Sequence, residues 1–200
     1  MMSYGPTIDE TLSALRTLST DRASVEFSAL TRFLRADNPV FDELIALAKA
    51  DPTKPYGRRV LIETDALEMM VACWTPGTPC APHDHGGSLG AVRVLQGRAR
   101  HRIWRCVDGE LRVVREELVG PGEVMSCGSD LIHSMGDDGA TEPLITLHMY
   151  TNSIDHMVVY DLDANETLVV EGSCGAWVPR DTPEMIRQSY PGIRKPVSVR

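Results

Sequence analysis

From Tyr56 onward, closely spaced turn signals divide the sequence into short apolar segments. The turn signals are glycine-containing pairs at Pro76-Gly77, Gly86-Gly87, Asp108-Gly109, Pro121-Gly122 and Asp138-Gly139. Many short strands at regular spacing are typical of a β-sandwich, jelly roll or barrel. Asp108-Gly109 lies between two such segments, and because both residues tolerate a positive φ, the pair predicts a β-hairpin. Strands are predicted over 59–63, 67–74, 90–95, 98–107, 111–117, 122–125, 144–150, 156–162 and 167–170.

The first part of the chain has the periodicity of helices instead. Thr7 and Glu10 form a capping box, and leucines at helical spacing follow it. A second apolar group over 25–34 and a third that begins after Asn38-Pro39 predict two further helices. A proline-containing segment, 51–55, ends this pattern. The sequence therefore predicts one domain over residues 1–200, made of a helical segment at 1–55, a β-barrel at 56–178 and a tail at 179–200 that wraps the surface.

The composition limits the partners that this chain can have. Its 200 residues, 42% of them hydrophobic, are enough for one real core. The formal net charge of -8 argues against nucleic acid and anionic membranes, since both need a basic surface. No apolar run approaches the ~20 residues of a membrane span, and the N-terminus lacks the basic and apolar regions of a signal peptide. These features predict a soluble cytoplasmic protein, and we expect a monomer or a weak homo-oligomer.

The cysteines do not form a recognisable framework. There are 5, an odd number, and no C-x-x-C pair occurs among them, which argues against disulfides in a chain of this kind. Cys73 lies in an apolar run and is interpreted as a small buried hydrophobe. Cys80 precedes a histidine pair and could supply a thiolate ligand, but we interpret it as a loop residue near that site and outside it.

The strongest chemical signal is the segment Pro82-His83-Asp84-His85-Gly86-Gly87. Residues two apart in an extended segment point to the same side, so His83 and His85 can reach one metal ion while Asp84 points away. His133 follows a later proline-glycine turn and another apolar stretch. Three imidazoles in this layout are hard to explain without a metal. Because imidazole suits several metals, a zinc hydrolytic site stays open, although it would need a general base near the metal.

This layout resembles the cupin superfamily. Gly77, the His83–His85 pair and Gly97 match the superfamily's first motif, while Gly90 stands where that motif has its glutamate ligand. Asp137 stands where the second motif has asparagine. The resemblance implies a mainly β fold, a double-stranded β-helix or jelly-roll barrel, here with N-terminal α-helices. It also implies a metal site held by three neutral imidazoles, without the carboxylate.

A narrower resemblance is to the cysteine dioxygenase type I family, in its bacterial form. It is carried, in chain order, by Tyr56-Gly57-Arg58, Cys73-Trp74, His83-Asp84-His85, Leu95-Gln96-Gly97, Ile132-His133 and the segment from Thr141 to Tyr150. This resemblance implies an iron(II) cofactor bound by His83, His85 and His133. It further implies that O₂ and a small-molecule thiol are the substrates and that both oxygen atoms pass to sulfur, giving a sulfinic acid.

The resemblance also assigns roles to Thr146, His148 and Tyr150, which alternate at period two and so face one side of a strand. In the family a Ser-His-Tyr series at this place forms a hydrogen-bonded relay beside the iron. Tyr150 would place its hydroxyl near the reacting atoms, His148 would orient Tyr150, and Thr146 would hold the tautomer of His148. Threonine keeps the hydroxyl of serine, so we expect the relay to be preserved.

For the substrate, the resemblance points to Arg58, with Tyr56 and Trp74 beside it. In the family an arginine here clamps the substrate carboxylate, which suits the paired donors of a guanidinium. The 3-mercaptopropionate dioxygenases carry glutamine at this place, so Arg58 predicts L-cysteine, although Arg59 is adjacent. The cysteine that is crosslinked to the tyrosine in mammalian-type members would fall at Gly90, so no thioether with Tyr150 is expected.

Two further alternatives stay open. One is a non-catalytic metal-binding cupin that acts as a small-molecule sensor, for which neither Arg58 nor the Thr146–His148–Tyr150 series would be needed. The other is the same chemistry on 3-mercaptopropionate or mercaptosuccinate. A second carboxylate would call for a further basic residue, which Arg59 or Arg93 could supply. His101 and His156 lack a partner at metal-ligand spacing and are interpreted as surface or structural histidines.

Overall fold

The protein's structure, a computed structural model, describes residues 7–20, 25–139 and 142–195. Thr141 of the family motif, the start of the chain and the last residues of the predicted tail lie outside these ranges. Three helices come first, at α1 (Ile8–Thr20), α2 (Phe27–Arg35) and α3 (Val40–Leu47). The capping box is confirmed, because Thr7 N donates to Glu10 Oε2 (2.8 Å) and Glu10 N donates to Thr7 Oγ1 (3.3 Å). Asn38 Oδ1 likewise accepts from the first backbone N–H of α3, that of Val40 (3.1 Å).

The strands that follow are short and mostly antiparallel. They are β1 (Tyr56–Thr64), β2 (Leu67–Trp74), β3 (Gly90–Gln96), β4 (Ala99–Val107), β5 (Glu110–Val119), β6 (Val124–Cys127), β7 (Ile132–Asp137), β8 (Ile145–Tyr150), β9 (His156–Asp161), β10 (Glu166–Glu171) and β11 (Ile186–Pro191). One layer is a five-stranded sheet in the order β1-β2-β8-β3-β6. The other contains two three-stranded sheets, β11-β10-β9 and β5-β4-β7. The β4–β5 hairpin turns at Asp108 (φ 53°) and Gly109 (φ 79°), as predicted.

The segment that carries the histidine pair joins the two three-stranded sheets. His83 exchanges backbone hydrogen bonds with His133 of β7 in both directions, at 2.9 and 3.0 Å. On its other side the segment bonds to β9, where Tyr160 N donates to Pro82 O (2.9 Å) and Asp84 N donates to Val158 O (3.0 Å). The extended segment thus lies between β7 and β9 as a strand does, and fixes His83 beside His133.

The main core lies between the two layers. Inward-facing side chains of the five-stranded sheet, among them Met70 and Val92, meet Met135 and Leu168 of the opposite layer. The outer face of the five-stranded sheet is covered by the helices, and Leu34 and Leu44 are fully buried there. Because the helices cover one face and the second layer covers the other, every residue of β2 is buried.

This arrangement confirms the predicted fold class: a mainly β double-stranded β-helix, or jelly-roll barrel, of cupin type with N-terminal α-helices. The sequence did not predict β7 or β11. The second of these lies in the segment predicted to wrap the surface, where it pairs antiparallel with β10. None of the described helices is long and apolar enough to span a bilayer.

Candidate metal centre

The structure brings together the three histidines that the sequence singled out. One ring nitrogen of each of His83, His85 and His133 lies within 4.8 Å of the others. All three side chains are buried, at 6%, 1% and 2% exposure. Burial lowers the pKa of His83 to about 4 and those of His85 and His133 well below the usual value. The imidazoles are therefore neutral near pH 7, the state in which they can bind a metal ion.

Hydrogen bonds on the far side of two rings decide which nitrogen faces the cluster. His83 Nδ1 donates to Ala81 O (2.9 Å), and His133 Nδ1 lies 2.9 Å from His101 Nε2, so each presents Nε2. The Nε2 atoms of His85 and His133 are 3.2 Å apart. With metal–imidazole bonds of about 2.1 Å, two nitrogen ligands lie about 3.0 Å apart at a right angle and about 3.4 Å apart in a tetrahedron. His85 and His133 therefore have the spacing of two ligands of a single first-row metal ion.

Among the described residues, the ligand group that lies together contains the three histidines alone, and two candidate neighbours do not join it. Asp84 points away, and its Oδ1 accepts from Val158 N (2.9 Å) and Gly86 N (3.1 Å). Cys80 Sγ lies 3.9 Å from His83 Nδ1 and accepts from Met135 N (3.2 Å). Burial raises the pKa of Cys80 to about 12, so it remains a thiol. This placement matches the interpretation of Cys80 as a residue near the site and outside it.

A chain of hydrogen bonds runs along β8 beside the cluster. Trp74 Nε1 donates to Thr146 Oγ1 (2.9 Å), Thr146 Oγ1 lies 2.8 Å from His148 Nε2, and His148 Nδ1 lies 3.2 Å from the Tyr150 hydroxyl. Indole N–H can only donate, so the Thr146 oxygen accepts there. The Thr146 hydroxyl is fully buried, and His148 Nε2 is its acceptor among the described hydrogen bonds, so the hydroxyl proton is assigned to that nitrogen. Burial lowers the pKa of His148 to about 3, so the neutral ring carries its single proton on Nδ1 and donates to Tyr150.

This direction leaves the Tyr150 hydroxyl proton free to point elsewhere. The Tyr150 ring lies 5.1 Å from that of His85, centroid to centroid, so Tyr150 is a direct neighbour of the three-histidine cluster. Burial also raises the pKa of Tyr150 well above its usual value, so the hydroxyl keeps its proton near pH 7. The arrangement can therefore offer one hydrogen-bond donor to a molecule bound at the cluster.

Strand register separates the two adjacent arginines of β1. Arg58 lies opposite Ala72 and Tyr56 lies opposite Trp74, all on the inner face. Arg59 lies opposite Val71, which packs under the helices on the outer face. The Arg58 guanidinium donates to Gly172 O (3.2 Å) and Ser173 O (2.5 Å). It has five N–H donors, so some stay available to a ligand.

The inner face also holds an acid that the sequence did not single out. Glu68 lies opposite Tyr150 in the sheet and is 7% exposed. Its Oε2 accepts from Ile154 N (3.0 Å). Burial raises the pKa of Glu68, while the charge of Arg58 opposes that shift. Glu68 is therefore a buried acid on the same face as Arg58 and Tyr150.

The suggested second carboxylate contact through Arg59 or Arg93 was wrong. Arg59 is exposed on the outer face of β1. Arg93 lies over the Phe41 ring at 4.4 Å and donates to Leu34 O (2.5 Å), so it anchors α2 and α3 to the sheet. Neither side chain lies on the inner face of the five-stranded sheet, the face that points toward the three-histidine cluster. Tyr56 and Trp74 are buried inner-face residues, and the Tyr56 hydroxyl accepts from Ala176 N (3.0 Å).

His101 was interpreted as a surface or structural histidine, and the structure places it directly behind the cluster. It is 2% exposed, and its ring lies between His133 and Glu117. In β4 it stands opposite Glu117 of β5. His101 lies in β4, at no fixed sequence distance from the His83–His85 pair, so the sequence did not predict its contact with His133. The contact follows from the pairing of β4 with β7. The hydrogen bond from His101 lowers the pKa of Glu117.

Comparison with known families gives a match over most of the chain. The sequence model of cysteine dioxygenase type I matches residues 5–163. Cysteine dioxygenase type 1 of Homo sapiens and that of Bos taurus are each 23% identical to the chain over 99 residues, which cover 48% of this chain and 50% of theirs. The chain thus spans about half the length of the curated relatives it matches.

Solved structures of similar shape are more distant. An uncharacterised conserved protein with a double-stranded β-helix domain from Klebsiella pneumoniae is 16% identical. The alignment covers 59% of this chain and 94% of that protein, with a TM-score of 0.47.

Proposed function

Because the chain belongs to the cysteine dioxygenase type I family, we propose that it is an iron(II)-dependent thiol dioxygenase that converts L-cysteine to cysteine sulfinic acid. The observation that carries this proposal is the proximity of two features on the inner face. The three-histidine cluster lies directly beside Tyr150, whose hydroxyl group has an oriented proton. A site built only to hold a metal would not need that donor.

His83, His85 and His133 would hold the metal through neutral imidazoles. The cluster therefore brings no negative charge of its own, which favours an anionic thiolate as the substrate group next to the metal. Bound iron(II) would supply the redox chemistry by which both atoms of O₂ are added to the substrate sulfur. The surrounding barrel excludes bulk water, which strengthens the hydrogen bonds made inside it.

Tyr150 would donate a hydrogen bond from its hydroxyl group to the reacting atoms. The chain from Trp74 through Thr146 and His148 favours that donation, because this order gives the buried Thr146 hydroxyl proton an acceptor and the reverse order does not. A pre-oriented donor needs no reorganisation when charge develops on the substrate. Tyr150 is thus a catalytic residue in this proposal, and Thr146 and His148 are positioning residues.

Arg58 would bind the substrate carboxylate, with Tyr56 and Trp74 forming the wall beside it. Its guanidinium is already held by the carbonyl groups of Gly172 and Ser173, so it need not be ordered again when the substrate binds. Residence in the cytoplasm and a monomeric or weakly oligomeric state stay predictions.

The proposal is tested by O₂ consumption. The anaerobically purified, iron(II)-loaded protein is given L-cysteine, 3-mercaptopropionate or mercaptosuccinate, and the sulfinate product is identified by mass spectrometry. We expect the highest kcat/KM with cysteine. Preference for another thiol would support the proposed reaction but contradict L-cysteine as the substrate. If no thiol is consumed despite bound iron, a non-catalytic metal-binding cupin would be the better description.

We expect Gly90→Ala to slow turnover while leaving metal binding intact. A Cβ atom at Gly90 would lie 2.5 Å from Cδ1 and Cε1 of the Tyr150 ring, so the ring must move. A displacement of about 1 Å at a catalytic group can reduce the rate about 10²-fold. The matched control is Gly128→Ala, because a Cβ atom there meets no atom within 4 Å. Unchanged kcat in Gly90→Ala would show that the position of Tyr150 does not limit the reaction.

A further inference from the structure

A row of three hydrogen-bonded side chains leads from the three-histidine cluster to the protein surface. His133 Nδ1 lies 2.9 Å from His101 Nε2, and His101 Nδ1 lies 3.0 Å from Glu117 Oε1. The two imidazoles are each 2% exposed, whereas the Glu117 side chain is 29% exposed. Arg115 Nη2 contacts the second carboxylate oxygen at 2.5 Å. The row is thus buried at the cluster and reaches solvent at the carboxylate.

The order of donors along this row follows from its outer end. A carboxylate oxygen only accepts, so His101 carries a proton on Nδ1 and donates it to Glu117. A neutral His101 then has a lone pair on Nε2, which accepts from His133 Nδ1. His133 is thereby left with its Nε2 lone pair, the one that faces His85 Nε2 at 3.2 Å. One carboxylate determines the tautomers of both rings.

His133 differs in this respect from the other two histidines. His83 Nδ1 bonds to a neutral backbone carbonyl, that of Ala81. His85 Nδ1 is buried and has no hydrogen-bond partner within the described part of the chain. The cluster itself contains three imidazoles and no carboxylate. Among the described residues, the hydrogen-bonded route that brings a negative charge to the cluster passes through His133.

We propose that His101 and Glu117 are positioning residues that hold His133 in its metal-binding tautomer and make it the strongest donor of the three. A hydrogen bond to an ionised partner strengthens an imidazole as a ligand, and here the effect would pass through a second ring. In this way a carboxylate behind the site offsets the absence of a carboxylate among the ligands. The inference rests on the metal site of the proposed function but not on its reaction.

Sheet register supplies a matched control. A bulge between Ile103 and Trp104 shifts the β4–β5 pairing by one residue, so Glu117 stands opposite His101. The adjacent Glu116 points to the other face, where it pairs with Arg100 and with Arg102. Glu116→Gln and Glu117→Gln therefore remove the same charge from neighbouring positions of one strand, and only Glu117→Gln alters the row.

The test is Co(II) binding to the metal-free protein, measured as a dissociation constant by competition with a chelator and as the visible absorption spectrum of bound Co(II). We expect His101→Phe to raise the dissociation constant about 10- to 100-fold, the range for loss of such a partner. Glu117→Gln should raise it less and shift the absorption bands, because the hydrogen bond stays while the charge is lost. His101→Gln can still accept from His133 and should fall between these two.

Glu116→Gln should match the wild-type protein in both measurements. Unchanged affinity and spectrum in His101→Phe and Glu117→Gln would overturn the inference, as would equal effects of Glu116→Gln and Glu117→Gln. If His101→Phe does not fold, the half-exposed Glu117 variant decides alone. A wild-type protein that binds Co(II) in the expected way but oxidises no thiol would overturn the proposed function and leave this inference standing.

Discussion

We expect that replacing His133 with alanine prevents metal binding and, with it, the proposed oxidation of thiols. His133 supplies one of three ring nitrogens in the cluster and is linked to His83 through paired backbone hydrogen bonds. Two imidazoles remain in the variant, and they cannot match the affinity of three. Because the proposed reaction needs the bound ion, we expect turnover to fall by roughly 10³-fold or more. Iron content after anaerobic loading and O₂ uptake with cysteine measure the two losses together.

The control for this experiment is His156→Ala. His156 lies in β9 and contacts Asp155 at 3.2 Å, outside the cluster of ligand atoms. The His156→Ala protein should bind iron and oxidise cysteine as the wild-type protein does. A circular dichroism melt of the metal-free His133→Ala protein separates loss of the metal from loss of the fold. Full iron content and full turnover in a folded His133→Ala protein would rule out this cluster as the metal site.

Two of the three proposed metal ligands could be predicted from local geometry alone, whereas His133 was predicted from its place after a later proline-glycine turn and from the family resemblance. In an extended segment His83 and His85 face one side, and the same period-two rule aligns Thr146, His148 and Tyr150. The structure shows both sets in that arrangement. Local rules also predicted the β4–β5 hairpin, since its turn residues need a positive φ. Each of these predictions needs only the conformation of one segment.

Two strands were missed because their sequences lack apolar alternation. The segment of β7, Ile132–Asp137, contains serine and glycine, and it becomes a strand because β4 and the His83 segment pair with its two sides. The segment of β11, Ile186–Pro191, is polar and ends in proline, as suits an edge strand. In both cases the partner strands, which the sequence does not identify, determine the conformation.

Long-range pairing also explains the missed site residues. A simple two-residue hairpin at Asp108-Gly109 would place His101 opposite Glu116, and only the bulge between Ile103 and Trp104 brings Glu117 there. Glu68 lies in a strand that is buried on both faces, so its sequence gives no inner or outer side. The same lack of sidedness explains the wrong suggestion for Arg93, which supports the helices instead.

Replacing Arg58 with glutamine should greatly reduce the reaction of cysteine. The guanidinium is the inner-face cation that we propose binds the substrate carboxylate, and glutamine has neither its charge nor its paired donors. Loss of one partner of a largely desolvated charge pair costs about 2–4 kcal/mol, which is roughly 30- to 900-fold in kcat/KM. With cysteamine, a thiol without a carboxylate, the kcat/KM of the Arg58→Gln protein should be close to that of the wild-type protein. Steady-state O₂ uptake with both thiols measures the ratio of their kcat/KM values.

The variant also leaves the carbonyl groups of Gly172 and Ser173 without their donor, so stability must be measured beside activity. Arg58→Lys keeps the charge and should recover part of the preference for cysteine. Arg59→Gln is the matched control, because it removes a neighbouring charge from the outer face of the same strand. An unchanged cysteine-to-cysteamine ratio in a stable Arg58→Gln protein would contradict the carboxylate contact. If only Arg59→Gln changed the ratio, Arg59 would be the residue that binds the carboxylate. That result would disagree with the register of β1 and β2, which places Arg59 on the outer face.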